Sequence, residues 1–226
     1  MTLSIIGRCS KTGQMGIAIS SSSIAVGARC PWLRSKVGAV STQNITLPAL
    51  GPRILDRLQQ GATAETALKA GLDTDDYAAW RQVTVMTTDG QSAFYSGEKT
   101  LGVNNALSGE NCVAAGNLLA NPDVIAAMVQ AFEQRSGHLA DRLIAAMQAG
   151  MSAGGEAGPV HSAALSIVDS PVWPIVDLRV DWTDADPDPI DELNKLWQAY
   201  QPQMQDYITR ALDPTQAPSY GVPGDE

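Results

Sequence analysis

Histidine and cysteine are scarce in this chain, and their scarcity narrows the chemistry first. The two histidines, His138 and His161, lie far apart in the 226 residues, so a histidine-rich metal site is not expected, and neither a metal nor another cofactor is. The three cysteines, Cys9, Cys30 and Cys112, are odd in number and widely spaced. That pattern is neither a disulfide framework nor a zinc-binding spacing. Lysine and arginine form no run, and the net charge is -9 with an isoelectric point near 4.6. Such a surface repels phosphate backbones and anionic lipids. Nucleic acid and membrane are therefore not expected partners, and a small-molecule substrate is. No apolar stretch approaches the ~18 residues needed to cross a bilayer. No basic region precedes the short apolar run from Leu3 to Ile6, so a secretory signal is not expected either. The compartment expected is a reduced cytoplasm.

What is present is enough for a sizeable core, with 44% hydrophobic residues. Residues 2–9 and 14–20 read as a hairpin around Thr12-Gly13, and "KVGAVST" as a third strand. "LGPRILDRLQQG" and "TAETALKAGL" carry helical spacing, and Gly61 and Gly71 stand where helix ends favour a left-handed residue. "QVTVMTTDGQSAFYSG" is a hairpin signalled by Asp89-Gly90, and "NCVAAGNLL" adds a strand near Cys112. Two helices follow. The first is capped by Asn121 and Pro122 and presents Val124, Met128 and Phe132; the second presents Leu139, Leu143 and Met147. After the loop "GGEAGP", "VHSAALSIV" and "PIVDLRVDW" form a last strand pair, and a helix starts at Asp188-Pro189. Pro202 is expected to break or kink it. Strand groups alternate with helix pairs, and the hairpins imply antiparallel pairing. The architecture expected is α+β, with two antiparallel sheets between helical layers. No composition shift occurs before residue 213, so residues 1–212 are expected to form one domain.

Several stretches together carry a resemblance: "TLSII", "GIAISSSSIAVGARCPW", "VGAVSTQNITLPALGP", "GNLL", "GPVHSAALSIV" and "DLRVDW". From Thr2 to about Asp181 the chain resembles the uncharacterised Ntn-hydrolase-like family known as domain of unknown function 1028. The resemblance implies a four-layer αββα sandwich. It also implies the chemistry of Ntn hydrolases, which cleave amide bonds with an amino-terminal Thr, Ser or Cys.

Thr2 is the first candidate nucleophile. A threonine hydroxyl needs a base, and a free α-amino group on the same residue, with a pKa of about 7.7–8.0, can serve. That requires removal of Met1; the bland alternative is that Thr2 starts an edge strand. Cys30, in "ARCPW", is a second candidate if a cation such as Arg29 lowers its pKa, against the reading of a small buried cysteine. His161 opens a strand beside Ser162, where it can shuttle protons or serve as a structural hydrogen-bond donor. Ser21 and Ser22, in the run that leaves the second strand, and Gln43 and Asn44, at the end of the third, are expected near Thr2. With Asn117 they are candidates to hydrogen-bond a substrate, or simply to cap loops. Asp177, Arg179 and Asp181 share one face by period-two spacing. They are either an ion-pair ladder or, through the Arg179 fork, a clasp for a substrate carboxylate, with Asp181 beside it as a further substrate-binding candidate. The expected function is a hydrolase acting on an amide bond of a small molecule: a peptide, an N-acyl amino acid or a ureido compound. The alternatives are an Ntn-like binding or assembly protein without turnover, and a hydrolase that depends on Cys30. A homo-oligomer, foremost a homodimer, is expected. The Pro/Gly-rich tail 213–226 is expected to dock through Tyr220 and Val222, with Trp173, Trp182 and Trp197 marking contact surfaces.

Overall fold

The amino-terminal hairpin forms as its pattern predicts. In the computed structural model, which describes residues 1–184 and 186–224, β1 (Thr2–Arg8) returns as β2 (Met15–Ser21) through a turn in which Gly13 has φ +80. That left-handed value is why glycine is found there. The chain continues through β3 (Pro31–Arg34), β4 (Gly38–Asn44), α1 (Leu50–Gln59), α2 (Ala64–Leu72), β5 (Arg81–Thr87) and β6 (Ser92–Ser96). Next come β7 (Asn105–Gly109), β8 (Cys112–Asn117), α3 (Val124–Gln134) and α4 (Leu139–Ser152). β9 (Ser162–Val168), β10 (Pro174–Val180) and α5 (Pro189–Leu212) complete the fold.

Two antiparallel sheets result. One has six strands in the order β10-β9-β2-β1-β8-β7, the other four in the order β3-β4-β5-β6. Period-two alternation sends successive side chains of β1 to opposite faces. Leu3 and Ile5 enter the core under α3, α4 and α5, together with Phe132, Leu143 and Trp197. Ile6 points the other way and packs with Met15, Ile17, Ala39, Met86 and Val113 between the two sheets. On the far side of the second sheet, Val40, Val83 and Val85 are covered by Ile54, Leu55 and Leu68 of α1 and α2. This is the four-layer αββα sandwich expected above. Each fully buried aliphatic side chain contributes about 1.5–3 kcal/mol relative to exposure. Close packing extends to the backbone: a Cβ on Gly7 would lie 2.5 Å from the Phe132 ring, and one on its cross-strand partner Gly16 2.8 Å from Leu143.

Several local expectations are corrected. β3 and β7 are additional strands; β3 begins at Pro31 on a sheet edge, where a proline costs no ladder bond. α3 starts two residues later than expected. Asn121 stands ahead of it, accepting from the Asp123 amide and donating to the Ala153 carbonyl. α5 runs through Pro202 without a break; the carbonyl the proline cannot reach is that of Gln198, on an exposed stretch where water can bond it. Trp197 is fully buried core, with its indole N–H on Asp141. His138 is half-buried: it caps α4 and stacks on Trp197 at 4.8 Å. In the tail, the Arg210 guanidinium lies 3.7 Å from the Tyr220 ring centroid, while Val222 remains exposed.

Candidate active site

β1 is an interior strand, hydrogen-bonded to β2 on one side and β8 on the other, so the edge-strand reading of Thr2 does not hold. The register places Thr2 opposite both Ser21 and Asn117. By the same alternation that aims Ile6 between the sheets, Ser4 and Thr2 face that layer too. Thr2 is buried, at 6% exposure. Its Oγ1 donates to the Met1 carbonyl at 2.6 Å and lies 3.3 Å from Ser21 Oγ. Ser21 Oγ reaches the same carbonyl at 2.5 Å. Two hydroxyls therefore converge on one carbonyl oxygen at the head of β1.

The second sheet meets them with amides. Gln43 donates to Gln82 Oε1 at 2.8 Å, and Asn117 donates to the same oxygen at 3.0 Å. Gln82 in turn donates to the Gly116 carbonyl and to Ser96 Oγ, each at 3.0 Å. Gln82 thus ties β4 and β5 of one sheet to β8 of the other. Each amide of Gln43 and Asn117 has a second hydrogen beyond the one spent on Gln82. Gln43, Gln82 and Asn117 are each no more than 1% exposed. Gln82 was not among the expected residues. Its signal was the polar side of the alternation in "QVTVMT", where Gln82 and Thr84 share a face with Met86 and oppose Val83 and Val85.

An ionisable group completes the site. Glu156 is 6% exposed, and neither carboxylate oxygen has a hydrogen-bond partner among the described residues. Its backbone bridges Leu119, just beyond β8. Burial pushes its pKa up to about 8; the positive α-ammonium of Met1 pulls the other way, as does the Ser22 N–H, which faces the carboxylate without reaching hydrogen-bond geometry. That ammonium donates to Ser22 Oγ at 3.3 Å. Glu156 is legible in the sequence only as a loop residue of "GGEAGP".

The structure thus brings together Thr2, Ser21, Ser22, Gln43 and Asn117. Asn44 lies next to Gln43, but its side chain donates to the Trp80 carbonyl and accepts from the Leu101 amide. It holds loops, in a left-handed conformation with φ 68. Cys30 is packed with Ile19, Val26 and Ala164, and burial pushes its thiol up to about 11 despite Arg29. That is the opposite of what a thiolate nucleophile requires. Arg29 itself is spent on the Ile24 and Ala25 carbonyls. His161 joins the site through its backbone, donating to the Ser21 carbonyl. Its ring stacks on Trp182 at 4.4 Å, with Nδ1 2.8 Å from the Thr183 carbonyl. Arg179 and Asp181 form a two-point ion pair on the surface, which leaves the guanidinium fork engaged. A surface hollow of about 460 Å³ lies elsewhere, between α2 and β6, lined by Leu68, Lys69, Phe94 and Tyr95. Its lining holds no serine, threonine or cysteine; at the head of β1, the Met1 side chain lies over Gly158.

Residues 2–193 match DUF1028, a family of unknown function. The chain is similar to the crystal structure of protein SPO2555 from Silicibacter pomeroyi, a DUF1028 protein, at 28% identity and a TM-score of 0.84, over 91% of this chain and 89% of that one. It is distantly similar to Anbu, the ancestral beta-subunit, from Yersinia bercovieri, at 11% identity and a TM-score of 0.39 over 97% of this chain and 100% of that one. A Gly-1 mutant of Anbu from Hyphomicrobium is comparable, at 10% identity and a TM-score of 0.42 over 98% of this chain and 100% of that one. Those two likenesses are too weak to bear on fold or function. No curated protein matches the chain.

Proposed function

The chain belongs to the DUF1028 family, and on that premise we propose that it is an Ntn-type hydrolase that cleaves an amide bond of a small molecule, with Thr2 as nucleophile once Met1 has been removed. The observation that carries this reading is the placement of the Thr2 hydroxyl. It lies buried beside Ser21 Oγ, at an end of the inter-sheet layer where hydroxyls and amides replace apolar side chains. While Met1 is attached, the Thr2 nitrogen is an amide and no base. After its removal that nitrogen is a primary amine with a pKa of about 7.7–8.0, next to the hydroxyl it must deprotonate. The Thr2 oxygen attacks the substrate carbonyl carbon and its proton passes to the amine. The C–N bond then breaks, with that proton delivered to the leaving nitrogen. Water next splits the Thr2 ester, releasing the acid and restoring the hydroxyl. Ser21 and the remaining amide hydrogens of Gln43 and Asn117 are the candidate donors to the developing oxyanion.

Intact mass of the untagged native protein tests the first condition, which is a chain beginning at Thr2. Thr2→Ala tests the second, since it must abolish hydrolysis in an amide-library screen in which the unaltered protein is active. Native protein that keeps Met1 and still turns over substrate refutes the reading. A chain that keeps Met1 and turns over nothing is the binding or assembly protein of the alternative.

A further inference from the structure

Met1 is more than a residue awaiting removal: it occupies the space that a substrate must enter. Its carbonyl oxygen accepts from the nucleophile candidate Thr2 and is reached by Ser21. Its α-ammonium donates to Ser22 Oγ. Its side chain lies over Gly158, where a Cβ would stand 2.7 Å from Met1 Cε. Glu156 flanks the same place, buried and with both oxygens unpartnered. A buried carboxylate without hydrogen bonds is costly, by several kcal/mol for a full charge, and it is stabilised by a cation brought next to it. The Met1 ammonium acts on it through space without closing a direct ion pair.

We propose that Glu156 and Ser22 form a binding site for a primary ammonium group on the substrate, so that the amides cleaved are those of amino acids or peptides with a free α-amino group. This deepens the hydrolase reading and rests on it for the chemistry, though not for the binding. In such a substrate the scissile carbonyl lies close to where the Met1 carbonyl stood, displaced from the freed Thr2 amine to non-bonded distance and within reach of Thr2 and Ser21. The α-ammonium takes the position of the Met1 ammonium, and an unbranched apolar side chain lies over Gly158. An N-acylated amino acid has no charge to offer Glu156 and leaves it unpaired in the site, which is a strong basis for rejection.

The test uses the full chain, released from a cleavable fusion so that it begins at residue 2 and carrying Thr2→Ala so that nothing turns over. Calorimetry compares L-methioninamide with N-acetyl-L-methioninamide. The free amine is expected to bind at least about tenfold more tightly, a difference of about 1.4 kcal/mol. Glu156→Gln, nearly isosteric and checked for folding by its melting temperature, is expected to bring the two ligands within about twofold. Gly158→Val is expected to weaken methioninamide while sparing glycinamide. Equal affinity for the free and acetylated amides overturns the proposal, and means that Glu156 answers only to the chain's own amino terminus. A preference that survives Glu156→Gln overturns it as well, as does the absence of saturable binding by either ligand. None of these outcomes depends on Met1 processing in the cell or on turnover, so the hydrolase reading stands or falls separately.

Discussion

Between the two sheets, the end that holds Ile6, Ile17, Ala39, Met86 and Val113 is apolar. The end that holds Thr2, Ser21, Gln43, Gln82 and Asn117 is polar and equally buried. The same five strands supply both ends. Read along any one of them, the inward-facing positions pass from apolar to polar: Ile6, Ser4, Thr2 in β1; Ala39, Ser41, Gln43 in β4; Met86, Thr84, Gln82 in β5. Because the strands are antiparallel, these gradients run in opposite directions in sequence yet converge on one place. Stability alone does not call for this. A buried amide needs its hydrogen bonds merely to break even, whereas the apolar end gains from every methyl it buries. A polar end in which Ser4 Oγ, Thr84 Oγ1 and both Glu156 oxygens lack partners among the described residues is better suited to receiving a ligand than to holding the sheets together.

That contrast is open to attack from both sides. At the polar end, Thr2→Ala should lower amide hydrolysis by about 10⁴-fold or more, roughly 5.5 kcal/mol of barrier, and shift thermal stability little. A steady-state rate set beside a melting curve separates the two effects. At the apolar end, Ile6→Ala should do the reverse. It should cost about 2–5 kcal/mol of folding free energy through the cavity it leaves, read from denaturant midpoints, while the folded fraction keeps its activity.

Glu156 makes the difference dependent on pH. Its folded pKa, pushed up to about 8, lies above the unfolded value of about 4.3. The folded state therefore holds a proton that the unfolded chain gives up between these limits. Stability from this group is fullest below about pH 4 and is lost progressively as pH rises towards 8, by an amount on the order of a few kcal/mol. Glu156→Gln should flatten that slope, so the stability difference between variant and unaltered chain, measured by denaturation at pH 5 and pH 8, should be larger at pH 8. An equal difference at both pH values would show the carboxylate to be solvated.

Gln82→Ala is expected to cost about 1–3 kcal/mol by orphaning its buried partners on both sheets, and less when Gln43→Ala has already removed one of them. A double-mutant cycle reads that coupling. The smallest effect concerns Cys30. With its thiol pushed up to about 11, it should resist alkylation at pH 7.5 in the folded protein and react on unfolding, with half-exposed Cys9 labelled first. Peptide mapping by mass spectrometry distinguishes them.

Much of the fold was legible because its cues are local. Thr12-Gly13 and Asp89-Gly90 bring their own turn geometry, and α5 begins where Asp188 accepts the Ile190 amide and Pro189 takes the first helical position. β3 and β7 were not legible: four and five residues long, they are too short to show an alternation and become strands only because a neighbour offers a ladder. Thr2 was legible as a nucleophile candidate from its place in the chain. Gln82 was hidden inside an ordinary strand and Glu156 inside a glycine-rich loop. Cys30 looked approachable beside Arg29, until packing surrounded it with Ile19, Val26 and Ala164.

By itself the amino-acid sequence determined where most of the strands, turns and helices lie, which faces are apolar, and that a hydroxyl stands at the head of the first strand. Those properties depend on neighbours within a few residues, which the chain carries with it. Only the tertiary structure decided that β1 lies inside its sheet, that five separate polar strand ends share one buried place, and that Glu156 lies there unpaired beside the α-ammonium of Met1. Such facts depend on which surfaces lose water to each other. Burial turns an ordinary glutamate into one that seeks a cation and an ordinary cysteine into an inert one, and burial is a property of the packed molecule rather than of any stretch of its sequence.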